Sequence, residues 1–231
     1  MDSLIEWLGL VAAVITILAV VFNIRKPLWR RIERRALLGA IGGSPRAEVV
    51  GAVMETEAQG WIRNRLDNLQ VGSVDFLVNA NKSRHALLVD MVQQRRLPVR
   101  LAVQDPRQAF SRQQKETIVR SLLQISALQA SGSSAPGDLE IRLYPEQAAL
   151  RLTLLRSRDS EAICCALGWY LYRDGNRAVP GAKNPTVLAL GRDNQLVKHA
   201  DVEFHKKWAT AAPLDVDWLQ EYAAAELSVV S

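Results

Sequence analysis

The feature that most constrains this chain is its first stretch, which cannot belong to an ordinary globular core. Residues 4–24 are almost wholly apolar, and nothing between Trp7 and Phe22 is charged. At about 1.5 Å of rise per residue, a helix over them spans roughly the 30 Å of a bilayer's hydrocarbon. A secretory leader carries its positive charge ahead of the apolar run and a small-residue cleavage site behind it. Here the order is reversed: Asp2 and Glu6 precede the run, and Arg25, Lys26, Arg30, Arg31, Arg34 and Arg35 follow it. A buried helix of this length would keep a polar face. The sequence therefore predicts one transmembrane helix over residues 1–24. By the positive-inside rule, the rest of the chain is cytoplasmic, in a single-pass protein of the bacterial inner membrane.

Charge divides unevenly along the 231 residues. The net charge is +5, of which residues 1–24 carry −2, residues 25–35 carry +5 and the remainder +2. The globular part is thus nearly neutral, with no basic stripe to track a nucleic acid. The six juxtamembrane cations fit the anionic headgroups of the inner leaflet or serve only to set topology, and the bilayer is the expected partner. Pro27, Gly39, Gly42, Gly43 and Pro45 mark residues 25–45 as a linker, which leaves residues 46–231 for one domain, long enough for a sizeable core.

Cys164 and Cys165 are the only cysteines. Adjacent cysteines rarely bridge, and within the apolar run AICCAL they read as small core residues in a reducing compartment. His85, His199 and His205 are scattered, and no metal-ligand spacing, Walker loop, dinucleotide fingerprint or serine elbow is present. No metal and no cofactor are expected.

Residues 47–69 repeat apolar positions at mostly helical spacing, through Val49, Val50, Val53, Trp61, Ile62, Leu66 and Leu69, and predict one or two helices. The period then changes. Residues 73–79, SVDFLVN, form a short apolar run between turn residues and predict a buried strand. A helix follows over residues 83–96, then a strand over 97–103 ended by Asp105-Pro106. Strand, helix and strand in about 30 residues define a βαβ unit with parallel neighbours. Ser111 is placed to cap a long helix to about residue 129, and residues 131–137 read as a flexible loop. Residues 139–144 alternate as a half-exposed strand. Short connections then join strands over 149–155, 162–172 and 186–190, which favours antiparallel pairing. Helices over 197–210 and, capped by Asp215, to about 227 close a three-layer α/β domain with a mixed sheet.

Asn79, Asn81, Lys82, Ser83 and His85 cluster where a strand gives way to a helix, the position at which open α/β sheets bind ligands. They are the candidate ligand-binding residues, with Arg84 beside them also placed to meet a phosphate at the helix N-terminus, although asparagine and serine also supply plain turn and cap chemistry. Arg100 inside a strand and Asp105 at its end are candidates for a pair, either a structural ion pair or a functional site. His205, in FHKKW, falls on the solvated side of a helix held by Phe204 and Trp208. The turn at 173–177 and the loop at 181–184 complete the polar segments.

The order of these elements resembles one half of the phospholipase D superfamily. The match runs from the strand at 74–78, through the helix at 83–96 and the strand PVRLAVQDP at 98–106, to the strand at 139–144, the short strands after it and the closing helix with Phe204 and Trp208. It covers about residues 75–211. The resemblance implies a signature H-x-K-x4-D after the strand at 139–144, in which histidine attacks phosphorus, lysine binds the phosphate and aspartate supports the site. Residues 144–159 read YPEQAALRLTLLRSRD and contain no histidine. Arg151 and Asp159 imitate fragments of the pattern, but no catalytic residue carries over. The expectation is a membrane-anchored binding, sensing or assembly module on a catalytically degenerate fold, with a protein partner or a second copy as further possibilities. The alternative is a phosphodiesterase acting on nucleotides or lipid headgroups through an unrecognised site. In that alternative a histidine and an arginine or lysine would converge in a pocket.

Overall fold

The computed structural model describes residues 48–80, 84–109, 111–130, 139–146, 150–170, 172–173, 177–178 and 185–227. The anchor and basic linker expected over 1–45, the residues Asn81, Lys82 and Ser83, and the loops at 131–137 and 181–184 lie outside them. Among the described residues, no helix is long and apolar enough to cross a membrane.

The chain's strands are β1 (Glu48–Met54), β2 (Val71–Val78), β3 (Val99–Gln104), β4 (Leu139–Tyr144), β5 (Leu150–Ser157), β6 (Ala162–Trp169), the two-residue pair β7 (Tyr172–Arg173) and β8 (Arg177–Ala178), β9 (Pro185–Leu190) and β10 (Ala212–Pro213). Eight of them form one sheet in the order β1-β9-β6-β5-β2-β3-β4-β10. β2, β3 and β4 are parallel, with Phe76 opposite Leu101 and Leu101 opposite Ile141. All other pairings are antiparallel. The switch falls where the connections shorten, as the sequence suggested: hairpin-length turns join antiparallel strands, whereas parallel neighbours need a crossover.

The helices are α1 (Glu55–Asn68), α2 (His85–Val89, continued by a π turn over Asp90–Gln94), α3 (Arg112–Ala130), α4 (Gln195–Thr210) and α5 (Val216–Leu227). One core joins the sheet to α1, α2, α3 and α5 through residues such as Ile62, Phe76, Leu87, Leu101, Leu122 and Leu219. A second core on the opposite face joins it to α4 through Leu77, Leu152, Leu154, Cys165, Phe204 and Trp208. Burial on both faces explains why β2, β3 and β5 read as continuous apolar runs instead of alternating. Three caps anchor the helix starts: Gln114 N donates to Ser111 Oγ at 3.2 Å, Leu196 N to Asn194 Oδ1 at 2.9 Å and Trp218 N to Asp215 Oδ1 at 3.0 Å.

Two elements depart from the sequence reading. Residues 48–54 are an edge strand, not the first turns of a helix. Val49, Val50 and Val53 satisfy a helical spacing by coincidence, while their branched side chains favour extended backbone. Gly51, at φ 135°, takes the bulge that resets the register with β9. α2 is also shorter than expected, because its second half widens into the π turn, with Arg95 N bonded to Asp90 O at 3.0 Å, before Arg96 adopts φ 52°.

Candidate functional site

At the C-terminal end of β2 the sheet encloses a cluster of charge. β1 delivers Glu55 at the first position of α1, Arg84 stands just before α2, Arg151 and Thr153 point from β5 toward the four-helix side, and Thr186 comes from β9. All five side chains are buried. Arg84 Nε and Nη2 donate to Glu55 Oε1 and Oε2 at 2.6 and 3.1 Å, and Arg84 Nη1 donates to Thr153 Oγ1 at 2.5 Å. Arg151 Nη2 donates to Thr186 Oγ1 at 2.8 Å and lies 3.2 Å from Glu55 Oε2, to which the threonine hydroxyl donates at 3.0 Å. Burial alone would push the Glu55 carboxyl up, but Arg84, then Arg151 and Thr186, outweigh it and hold the pKa below the ordinary glutamate value.

Gly168 makes this packing possible. A Cβ at that position would stand 2.4 Å from Arg151 Nε and 3.1 Å from its Cγ and Cζ, so the guanidinium occupies the space a side chain would take. Arg151 sits within the stretch where the resemblance implies a phosphate-binding lysine. Asp159, the other fragment of that pattern, is exposed in the turn at the far end of β5. The two do not form one site.

Of the candidate ligand-binding residues, Asn79 and His85 are described. Asn79 is buried beside the cluster's rim: its N–H donates to the Tyr170 hydroxyl at 2.7 Å, and the Tyr144 hydroxyl donates to the neighbouring Val78 carbonyl at 3.0 Å. Asn79 Oδ1 and His85 Nδ1 are buried without a hydrogen-bond partner among the described residues. His85 therefore lacks, among those residues, the acceptor that orients a catalytic imidazole. Arg100 and Asp105 do not pair. They occupy opposite ends of β3, where Asp105 is held by Arg107, with Nη2 to Oδ2 at 2.6 Å. Arg100 instead donates to Asp75 Oδ1 and Oδ2 at 2.7 and 2.8 Å.

That pair opens a second polar assembly, at the N-terminal end of the parallel strands. Asp75, wholly buried, also accepts from Arg156 Nε at 2.5 Å. Arg156 Nη2 reaches across to α4, donating to Asp201 Oδ1 at 2.5 Å and lying 3.3 Å from His205 Nε2. Burial alone would lower the Arg156 pKa, but Asp75 and Asp201 raise it above the ordinary value. His205 is half-exposed, as its place on a solvated helix face implied, yet it belongs to this assembly. Cys164 and Cys165 are buried free thiols in β6. Burial pushes both up, Cys165 to about 12, which leaves them protonated and poor nucleophiles. Among the described residues no group of histidine, cysteine and carboxylate side chains is arranged to hold a metal.

Fold and site together define a mixed α/β domain whose two strand ends carry separate buried ion clusters. No protein-family model matches the sequence, and no curated protein does. Among solved structures, the chain is similar to a phospholipase D family member, Nuc from Salmonella typhimurium, over 73% of this chain and 97% of that one, with a TM-score of 0.40 and 10% identity. It is also similar to phosphatidylserine synthase of Haemophilus influenzae Rd KW20 over 63% of this chain, with a TM-score of 0.40 and 15% identity, and covers 34% of that protein. The first of these belongs to the family that the strand order resembles.

Proposed function

We propose that the chain is a membrane-tethered, cytoplasm-facing binding or assembly module on a phospholipase D-like fold, with no hydrolytic role. The observation that carries this reading is the commitment of Arg151. Where the resemblance calls for an exposed cation beside a nucleophilic histidine, residues 144–159 hold no histidine. The arginine there is sealed under Gly168 against Glu55 and Thr186. Its Nη2 is held by Thr186 and Glu55, so a phosphoryl group reaching that nitrogen would compete with a buried carboxylate that Arg84 also holds in place. His85 Nδ1 has no orienting acceptor among the described residues. His205 does share a cleft at the opposite strand ends with Arg100, Arg156 and Arg158, the convergence that the phosphodiesterase alternative calls for. Its Nε2 lies against Arg156 and Asp201 there, however, and the turnover assay decides between the two readings.

The test uses the full chain in an uncharged detergent, incubated with bis(p-nitrophenyl) phosphate and with a phospholipid diester. No turnover above buffer is expected. Turnover that disappears in His85→Ala or His205→Ala would overturn the reading in favour of a phosphodiesterase. The tether is tested separately: the chain stays with membranes through a carbonate wash, and a reporter fused after Ser231 is active only in the cytoplasm. Release by carbonate would remove the anchor from the proposal.

A further inference from the structure

Beside the Asp75 assembly, a cleft of about 480 Å³ opens to solvent between the start of β3, the end of β5 and α4, with Arg100, Arg156, Arg158, Glu140 and His205 on its wall. Its size lies within the range of small-ligand sites. We propose that this cleft binds a phosphate-bearing anion, with Arg158 as its principal contact and Arg100 and His205 converging from β3 and α4. The inference goes beyond the binding reading above and does not depend on the tether.

Charge accounting favours an anion. Asp75 is covered by Arg100 and Arg156, Asp201 faces Arg156, and the carboxylate on the wall, Glu140, is held by Arg142, whose Nη2 lies 2.7 Å from Oε1. Arg158 remains: exposed, and in no ion pair with any described residue. Asp159, next in the turn, is not on the cleft wall; it lines a neighbouring hollow that Arg158 also borders. Around the cleft, the guanidiniums of Arg100, Arg142, Arg156 and Arg158 therefore stand against the carboxylates of Asp75, Asp201 and Glu140, and His205 Nε2 lies 3.4 Å from Asp201 Oδ1. Arg100 spends two N–H groups on Asp75 and keeps the rest of its fork.

The wall is also built, not incidental. Arg156 is locked from three sides, its Nη1 donating to the Ser160 carbonyl at 2.9 Å, and Ser160 takes φ 64° in the turn that presents Arg158. Gly72 lets β2 run against that turn: a Cβ there would meet Arg158 Cα at 2.6 Å and the Ser157 carbonyl oxygen at 2.7 Å. Guanidinium forks and an imidazole arriving from different elements suit an oxyanion that accepts from several directions, which a phosphate does better than a planar carboxylate.

The test titrates the full chain in uncharged micelles, by calorimetry at physiological salt, with inorganic pyrophosphate in one arm and micelle-dispersed phosphatidylglycerol in the other. Saturable one-site binding is expected in at least one arm, weakened tenfold or more by Arg158→Ala and unchanged by Lys206→Ala, an exposed cation of α4 absent from the cleft wall. The same ligand should move the imidazole NMR signals of His205 and leave those of His199 in place. Binding of pyrophosphate assigns a soluble ligand, and binding of phosphatidylglycerol alone assigns a lipid headgroup. No saturable binding in either arm, or equal weakening by Arg158→Ala and Lys206→Ala, overturns the proposal. Either result leaves the turnover assay unaffected.

Discussion

Glu55 is the residue on which the upper cluster turns. It is the carboxylate between two buried guanidiniums, and removing its charge leaves both uncompensated. Glu55→Gln is expected to cost about 3–5 kcal/mol in urea unfolding. Its pKa also predicts an acid response. Because the folded carboxyl is held below the ordinary value near 4.5, its stabilisation is complete above that value and drains away as pH falls through the lower folded value. The unfolding midpoint of the wild type should therefore drop more steeply below about pH 4.5 than that of Glu55→Gln. Equal slopes would show that the depression is absent. Gly168→Ala, which forces a Cβ onto the Arg151 guanidinium, should lose about 2 kcal/mol by overpacking. Cys164 and Cys165, buried and protonated, should react with a thiol reagent only as fast as the chain unfolds.

At the scale of elements, the parallel β2-β3-β4 unit was legible because its period and turn residues agreed. β1 was not, since three valines at mixed spacing satisfy both templates and only pairing with β9 decides between them. The clusters were harder to read because no spacing rule joins Glu55 to Thr186, which lie 131 positions apart. One signal was available. Arg151 and Arg156 sit inside the apolar strand LRLTLLRS, and Asp75 inside VGSVDFLV, and a charge in a buried strand must find a partner. The five-residue interval between the two arginines, an odd number, sends them to opposite faces and hence to different clusters. The pairing of Arg100 with Asp105 fails for the same reason: its partner Asp75 stands directly opposite it in β2, a register invisible before pairing. Gly72→Ala tests the lower element directly. Its Cβ would collide with backbone at Ser157 and Arg158, so the variant should lose about 2 kcal/mol and shift the amide signals of the β5–β6 turn.

Across the whole molecule, the sheet carries its charge at its two ends and its apolar surface between, with helices on one face and α4 on the other. This is how a nearly neutral domain holds two dense ionic assemblies within its sheet. Loss of anion binding in Arg158→Ala with unchanged unfolding, set against loss of stability in Glu55→Gln, would separate a recognition end from a structural end.

The strand order has a further consequence for biosynthesis. Because β1 pairs with β9, the earliest strand of the sheet leaves the ribosome long before its partner exists, and Glu55 must wait with it. Contacts this distant in sequence slow folding. A nascent chain halted before residue 185 would hold Glu55 and both of its arginines but not Thr186 or the strand that seats β1, leaving an open sheet edge suited to chaperone capture and proteolytic clearance.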